Sequence, residues 1–236
     1  MNRTAAGPRL EAFAGRDALA EAAASLIAQT LERRLGEGAG RASLVASGGA
    51  TPAPVYDRLR DWPLDWRRID VTLSDERWLE PSSPDSNQRM LREHLLRGAA
   101  QAAQLIPLWS PETSLEAAAV RAEAAIAPLM PFDVVLLGMG EDGHFASLFP
   151  GSPALAEGLR LEGERLCLGV PASAPAPPQP RISLTLRALL QSRLVLLLTS
   201  GEAKKLVLDA ALAGADLPVR ALLLQDQAPV RLFWSP

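Results

Sequence analysis

The sequence predicts an α/β fold: a mainly parallel sheet with helices covering both faces. Three observations point to it. Continuous apolar runs such as FDVVLLG (132–138) and RLVLLLTS (193–200) read as strands buried on both sides. Helix-forming segments alternate with these runs, as βαβ units require. Glycine-rich turns stand where several strands end, the place where open α/β sheets bind ligands.

DALAEAAASLIAQTLERRL, from Asp17 to Leu35, has apolar positions recurring at three and four and reads as an amphipathic helix stopped by Gly36, Gly38 and Gly40. ASLVA (42–46) is a strand entering the turn SGGATP, and a helix follows over Ala53 to Leu59. There Thr51 is a natural N-cap and Pro52 fits the first helical position. IDVTLS (69–74) is a second strand and NQRMLREHLL (87–96) a helix. The stretch IPLW, ending at Trp109, reads as a short strand. Thr113 with Glu116 forms a capping box that opens an alanine-rich helix ending near Pro131. RLCLGV (165–170) is a further strand, and GEAKKLVLDAALAG a helix ending at Gly214. PASAPAPPQP (171–180) is a proline-rich connecting loop.

At 236 residues the chain is expected to form one domain, 1–236. Lys and Arg number 24 against 27 Asp and Glu, a balance that argues against a nucleic-acid partner. No stretch of about 18 uncharged apolar residues argues for a membrane span, and MNRTAAGPRLEAF lacks the apolar core of a signal peptide. The lone Cys167 cannot form an internal disulfide and reads as a buried thiol, so a cytoplasmic protein is expected. Two histidines and one thiol cannot assemble the usual zinc sets, and no metal or other cofactor is expected.

GMGEDGHFASLFPG (138–151) contains the spacing G-x-G-x-x-G at Gly138, Gly140 and Gly143. A dinucleotide site needs those glycines to open a long helix, and Pro150 and Pro153 leave little room for one. The alternative is a tight turn with positive φ angles that presents His144 at a strand's carboxyl end. A histidine there can take a proton from water near neutral pH. His94, within LREHLL, reads as structural. Ser47, Gly48, Gly49 and Thr51 belong to a turn whose exposed N–H groups suit a phosphate. Lys204 lies on the first turn of a later helix. Arg77 in SDERW and Arg181 in PRISLT sit at strand ends where guanidinium forks can engage oxyanions. Asp75 and Glu76 are adjacent on an extended chain and point to opposite faces, which disfavours a paired acid and base; one is expected to orient Arg77 or cap a loop.

SGGATP, SDERW with the SN of DSNQRM, GMGEDGHFASLFPG, PRISLT and GEAKK together resemble the 6-phosphogluconolactonase family, within the superfamily that also holds glucosamine-6-phosphate isomerase/deaminase. The resemblance implies a Rossmann-like fold and hydrolysis of 6-phospho-D-glucono-1,5-lactone in the oxidative pentose phosphate pathway. It implies His144 as general base with Asp142 beside it. Gly48, Gly49, Arg181 and Lys204 would hold the sugar phosphate, and Arg77 would meet the ligand near the reacting end. Phe145 and Trp78-Leu79 depart from the family's common pattern. The rival readings are an amino-sugar phosphate deaminase and a non-catalytic sugar-phosphate sensor.

Overall fold

The apolar runs do become a central sheet. The computed structural model describes residues 8–172 and 179–236. In chain order its elements are β1 (Leu10–Ala12), α1 (Arg16–Gly36), β2 (Ala42–Ala46), α2 (Ala53–Leu59), β3 (Ile69–Leu73), β4 (Asp75–Arg77), α3 (Asn87–His94), β5 (Gln104–Leu105) and α4 (Leu115–Ile126). They continue with β6 (Val134–Gly138), α5 (Leu155–Gly158), β7 (Cys167–Val170), β8 (Arg181–Leu184), α6 (Leu186–Leu190), β9 (Val195–Ser200), α7 (Glu202–Leu212), α8 (Pro218–Leu224) and β10 (Val230–Ser235).

Seven strands form one sheet in the order β1-β10-β9-β6-β2-β3-β5, with every neighbouring pair parallel. Successive side chains of a strand face opposite ways, and every residue of β2 and β3 is buried, so both faces of the sheet are covered. α1 supplies part of that cover. Its buried residues, Leu19, Ala20, Ala23, Ala24, Ile27, Ala28 and Leu31, recur along one stripe of a helix whose other side is solvated. Full burial of side chains such as Ile27 and Leu31 stabilises the fold by roughly 1.5–3 kcal/mol each, more than a typical surface ion pair contributes.

Four expectations need correction. RLCLGV does pair, but only from Cys167, and in a separate antiparallel sheet of order β4-β8-β7. The IPLW strand lies earlier, at Gln104–Leu105, because Pro107 lacks the N–H a ladder needs. Ser114, not Thr113, caps α4 by accepting from Ala117 N at 3.1 Å. Thr51 does not cap α2: Pro52 already has helical angles and its carbonyl accepts the first helical bond, from Val55 N at 2.9 Å. β1 and β10 gave no sequence signal. Charged residues interrupt their apolar pattern, and Arg231 pairs with Glu11 through two bonds of 2.7 and 2.6 Å across them.

Cys167 is fully buried, and burial pushes its thiol well above the usual range, in keeping with an inert side chain. His94 bonds Asp57 at 3.0 Å on the surface, a structural contact. Residues 173–178 of the proline-rich loop lie outside the described part of the chain. Among the described residues, no helix is long and apolar enough to cross a membrane.

Candidate active site

From β2 the chain runs outward to β3 and β5; from β6 it runs the other way, to β9 and β10. The adjacent strands β2 and β6 therefore mark the point where the winding reverses, and a crevice opens beyond their carboxyl ends. The turn after β2 carries Ser47, Gly48, Gly49 and Thr51, and the turn after β6 carries Gly140 and His144. Together with Asp75, Arg77, Asn87, Ala146, Arg181 and Lys204 they line one cleft of about 240 Å³.

Tyr56, on the first turns of α2, fixes the first of these loops. Its hydroxyl donates to Ser47 O at 2.7 Å and accepts from Ser47 N at 2.9 Å. Burial pushes its phenol far above the usual range, so it stays neutral and can do both. Gly48 is required by contact: a Cβ there would overlap the Asn87 side chain. Thr51 Oγ1 instead faces Ser200 Oγ at 3.5 Å, linking the turns after β2 and β9.

The stretch after β6 is a turn and not a dinucleotide cradle. Its next helix, α5, has four residues and begins only at Leu155. Gly143 does take the expected positive φ, +77°, but Gly140 serves differently. The His144 ring lies directly over Gly140, where a Cβ would collide with it and sit 2.6 Å from Asp142 Oδ1. Gly140 N donates to His144 O at 2.9 Å and Gly143 N to Gly140 O at 3.1 Å, closing the turn. Gly143 O then accepts from Val219 N of α8 at 2.9 Å, which ties the turn to the body of the protein.

Asp142 Oδ1 lies 2.5 Å from His144 Nδ1 and accepts from His144 N at 3.2 Å. A carboxylate only accepts, so Nδ1 carries the hydrogen in the neutral ring and Nε2 keeps a free lone pair. Phe149 packs on the ring with centroids 4.4 Å apart, and its centroid lies 5.1 Å from the Arg181 guanidinium carbon. One aromatic side chain thus touches both the imidazole and a cation. Ala146 lines the cleft at φ +48°, a conformation that costs roughly 1–2 kcal/mol for a residue with a Cβ. This kink sends Phe145 into the core and Ser147 toward β4.

The small sheet supplies the guanidinium groups. Arg77 and Arg181 are direct partners in the antiparallel β4–β8 ladder, so their Cβ atoms share a face about 5 Å apart. Arg77 Nη1 donates to Asp85 O and Asn87 Oδ1, both at 2.7 Å, while its buried Nε has no partner among the described residues. Arg181 lies 3.7 Å from Asp75 Oδ2 and 3.5 Å from Ser147 Oγ, and Ser147 Oγ donates to Asp75 Oδ2 at 2.5 Å. Burial pushes Arg181 below the usual arginine value; Asp75 opposes this and Arg77 adds to it. Two like charges held face to face favour an anion between or beside them.

Glu76 caps α3. Its carboxylate accepts from Arg77 N and Asn87 N at 2.8 Å, Gln88 N at 2.7 Å and Ser86 Oγ at 3.1 Å. Burial raises it above the usual carboxylate range despite those bonds. Asp75 faces Arg181 and Ser147, so the two acidic side chains have separate structural tasks.

Lys204 is half-buried, and burial lowers its ammonium below the ordinary value; Glu141 opposes the shift and Arg16 adds to it. The cleft therefore gathers every sequence-expected site residue except Asp142, which reaches it through the imidazole. Sequence reasoning assigned no chemistry to Asn87, Ser147 or Phe149. The only signal for them was their place inside the quoted blocks, since their partners lie far away in the chain. Phe145 is fully buried and Trp78 donates its indole N–H to Ser110 O at 3.3 Å, so neither departure lines the cleft. Among the described residues, no group of three or more His, Cys, Asp or Glu gathers to hold a metal ion.

Residues 14–234 match the family model described as glucosamine-6-phosphate isomerases/6-phosphogluconolactonase. The chain is 47% identical over 227 residues to a 6-phosphogluconolactonase of Caulobacter vibrioides, covering 96% of this chain and 97% of that one. It is 43% identical over 235 residues to that of Pseudomonas aeruginosa, covering 98% and 96%. The crystal structure of a 6-phosphogluconolactonase from Shewanella baltica superposes with a TM-score of 0.91 at 38% identity, covering 97% of this chain and 98% of that one. With this cleft, this parallel sheet and relatives matched along nearly their whole length, the chain belongs to the glucosamine-6-phosphate isomerase/6-phosphogluconolactonase family.

Proposed function

We propose that this chain acts as a single-domain hydrolase that converts 6-phospho-D-glucono-1,5-lactone to 6-phosphogluconate, with His144 as general base. The observation that carries the proposal is the His144–Asp142 contact, 2.5 Å, in the same cleft as Arg77, Arg181 and Lys204. Nε2 takes a proton from water as its oxygen bonds to the lactone carbonyl carbon. The carbonyl electrons move to its oxygen, where cationic donors stabilise the developing charge. When that tetrahedral intermediate collapses, the ring C–O bond breaks and the imidazolium returns the proton to the departing ring oxygen. The carboxylic acid product then ionises into water.

A δ-lactone is an activated ester, so neither a metal nor a covalent enzyme intermediate is needed for this sequence. Ser47, Gly48, Gly49 and Thr51, with Arg181 and Lys204, hold the phosphate in this reading, and Arg77 meets the reacting end. Binding energy from the distant phosphate orients the ring. The substrate is a charged metabolite that does not cross bilayers unaided, so enzyme and substrate share a compartment, which this reading takes to be the cytoplasm. The relatives favour this reading over the deaminase.

His144→Ala tests it. Lactone hydrolysis, corrected for the spontaneous rate, falls about 100- to 10,000-fold while 6-phosphogluconate binding persists. Unchanged turnover eliminates His144 as the base, and ammonia release from glucosamine-6-phosphate by the parent enzyme favours the deaminase instead.

A further inference from the structure

Behind the Ala50-Thr51 wall of the cleft lies a second chamber of about 270 Å³ that shares Ala50, Thr51 and Lys204 with it. Its other polar lining comes from Arg16, Glu141 and Ser200. Arg16 is the first residue of α1, far in sequence from every motif that marks the site. Lys204 is half-buried, and burial lowers its ammonium below the ordinary value; Glu141 opposes that shift and the positive charge of Arg16 adds to it. Among the described residues, neither Arg16 nor Lys204 makes an ion pair. Two cations face one small chamber with a single carboxylate, Glu141, to balance them.

Arg16 and Glu141 are exposed and Lys204 is half-buried, so the chamber opens to solvent on the Arg16 side and carries a net positive charge that suits an entering anion. The Thr51 and Ser200 hydroxyls, 3.5 Å apart, supply neutral donors on the same wall. Leu19 and Pro54 supply part of its apolar lining.

We propose that Arg16 is a specificity-determining residue for the phosphate: the chamber receives a phosphoryl oxygen of the substrate, which Arg16 engages together with Lys204. This rests on the lactonase reading above and extends its phosphate site by a residue outside the family's motif blocks. It makes Arg16 a discriminator between phosphorylated and unphosphorylated lactones, with no part in the chemical step.

The test compares Arg16→Ala, Arg16→Glu and Arg16→Lys with the parent on 6-phosphogluconolactone and on glucono-1,5-lactone. Loss of one charge-assisted bond to phosphate raises KM for the phosphorylated lactone about tenfold in Arg16→Ala and further in Arg16→Glu, with kcat preserved. Arg16→Lys restores most of the affinity, and kcat/KM for glucono-1,5-lactone stays within about twofold. Equal losses on both lactones, or an unchanged KM in both Arg16→Ala and Arg16→Glu, overturn the proposal. Calorimetric binding of 6-phosphogluconate separates the two levels of the argument. A parent enzyme that hydrolyses neither lactone rejects the lactonase reading, whereas Arg16 is judged by whether Arg16→Ala weakens phosphogluconate binding about tenfold and leaves gluconate binding unchanged.

Discussion

Replacing Gly140 by alanine adds one methyl group to the floor beneath the imidazole. The Cβ would stand 2.6 Å from Asp142 Oδ1 where ordinary contact begins at 3.4 Å, so the carboxylate must retreat about 0.8 Å, and the His144 ring, which is closer, must retreat further. Gly140 does not adopt a positive φ, so alanine meets no backbone strain and slightly reduces the freedom of the unfolded chain. The cost in folding is therefore small, roughly 0.5–1.5 kcal/mol from a displaced rotamer. The cost in catalysis is larger, because misplacing a reacting group by about 1 Å lowers the rate on the order of 100-fold, about 2.7 kcal/mol of barrier. Initial rates of lactone hydrolysis, with the uncatalysed rate subtracted, are to be measured beside thermal unfolding. A large fall in kcat with a nearly unchanged melting temperature is expected. A kcat within about threefold of the parent would refute the claim that the ring's position over Gly140 matters.

Phe149→Leu removes the surface shared by His144 and Arg181 while keeping an apolar filler; kcat/KM drops about tenfold, whereas Phe149→Tyr restores it. An unchanged kcat/KM in the leucine variant, or a tyrosine variant as impaired as the leucine one, contradicts a positioning role. Burial sets the pH response of Lys204. Because its folded value lies below 10.5, the ammonium discharges earlier than an exposed lysine, and 6-phosphogluconate affinity declines with rising pH in the alkaline window below 10.5. Titration by calorimetry shows that decline in the parent and its absence in Lys204→Arg; identical curves count against a phosphate contact.

Much of this architecture was legible because burial on both faces of a parallel sheet leaves continuous apolar runs, and β2, β3, β6 and β9 fall almost where those runs stand. The same rule hid the second sheet. Cys167–Val170 and Arg181–Leu184 are buried as thoroughly as central strands, and hydrophobicity records burial but not the partner strand. At the site, the contact of His144 with Asp142 lies within one turn, so the single block that carries the resemblance contains both residues. The Asp75–Ser147–Arg181 cluster joins three separate parts of the chain, a relation that no local pattern encodes. Thr51 misled because a good capping residue beside a proline looks like a helix start, while here Pro52 provides the cap and leaves the hydroxyl to the cleft.

The pairing of Arg77 with Arg181 across the β4–β8 ladder also bears on how the family's members can diverge. The spacing of their Cβ atoms is dictated by backbone rungs, so connecting segments on either side can lengthen or shorten without changing it. An insertion or deletion of a single residue within those rungs behaves oppositely: it turns one arginine to the other side of the sheet and leaves the remaining one alone. Changes of length are thus accommodated in the loops and not in the rungs, and the main chain itself holds the two arginines side by side.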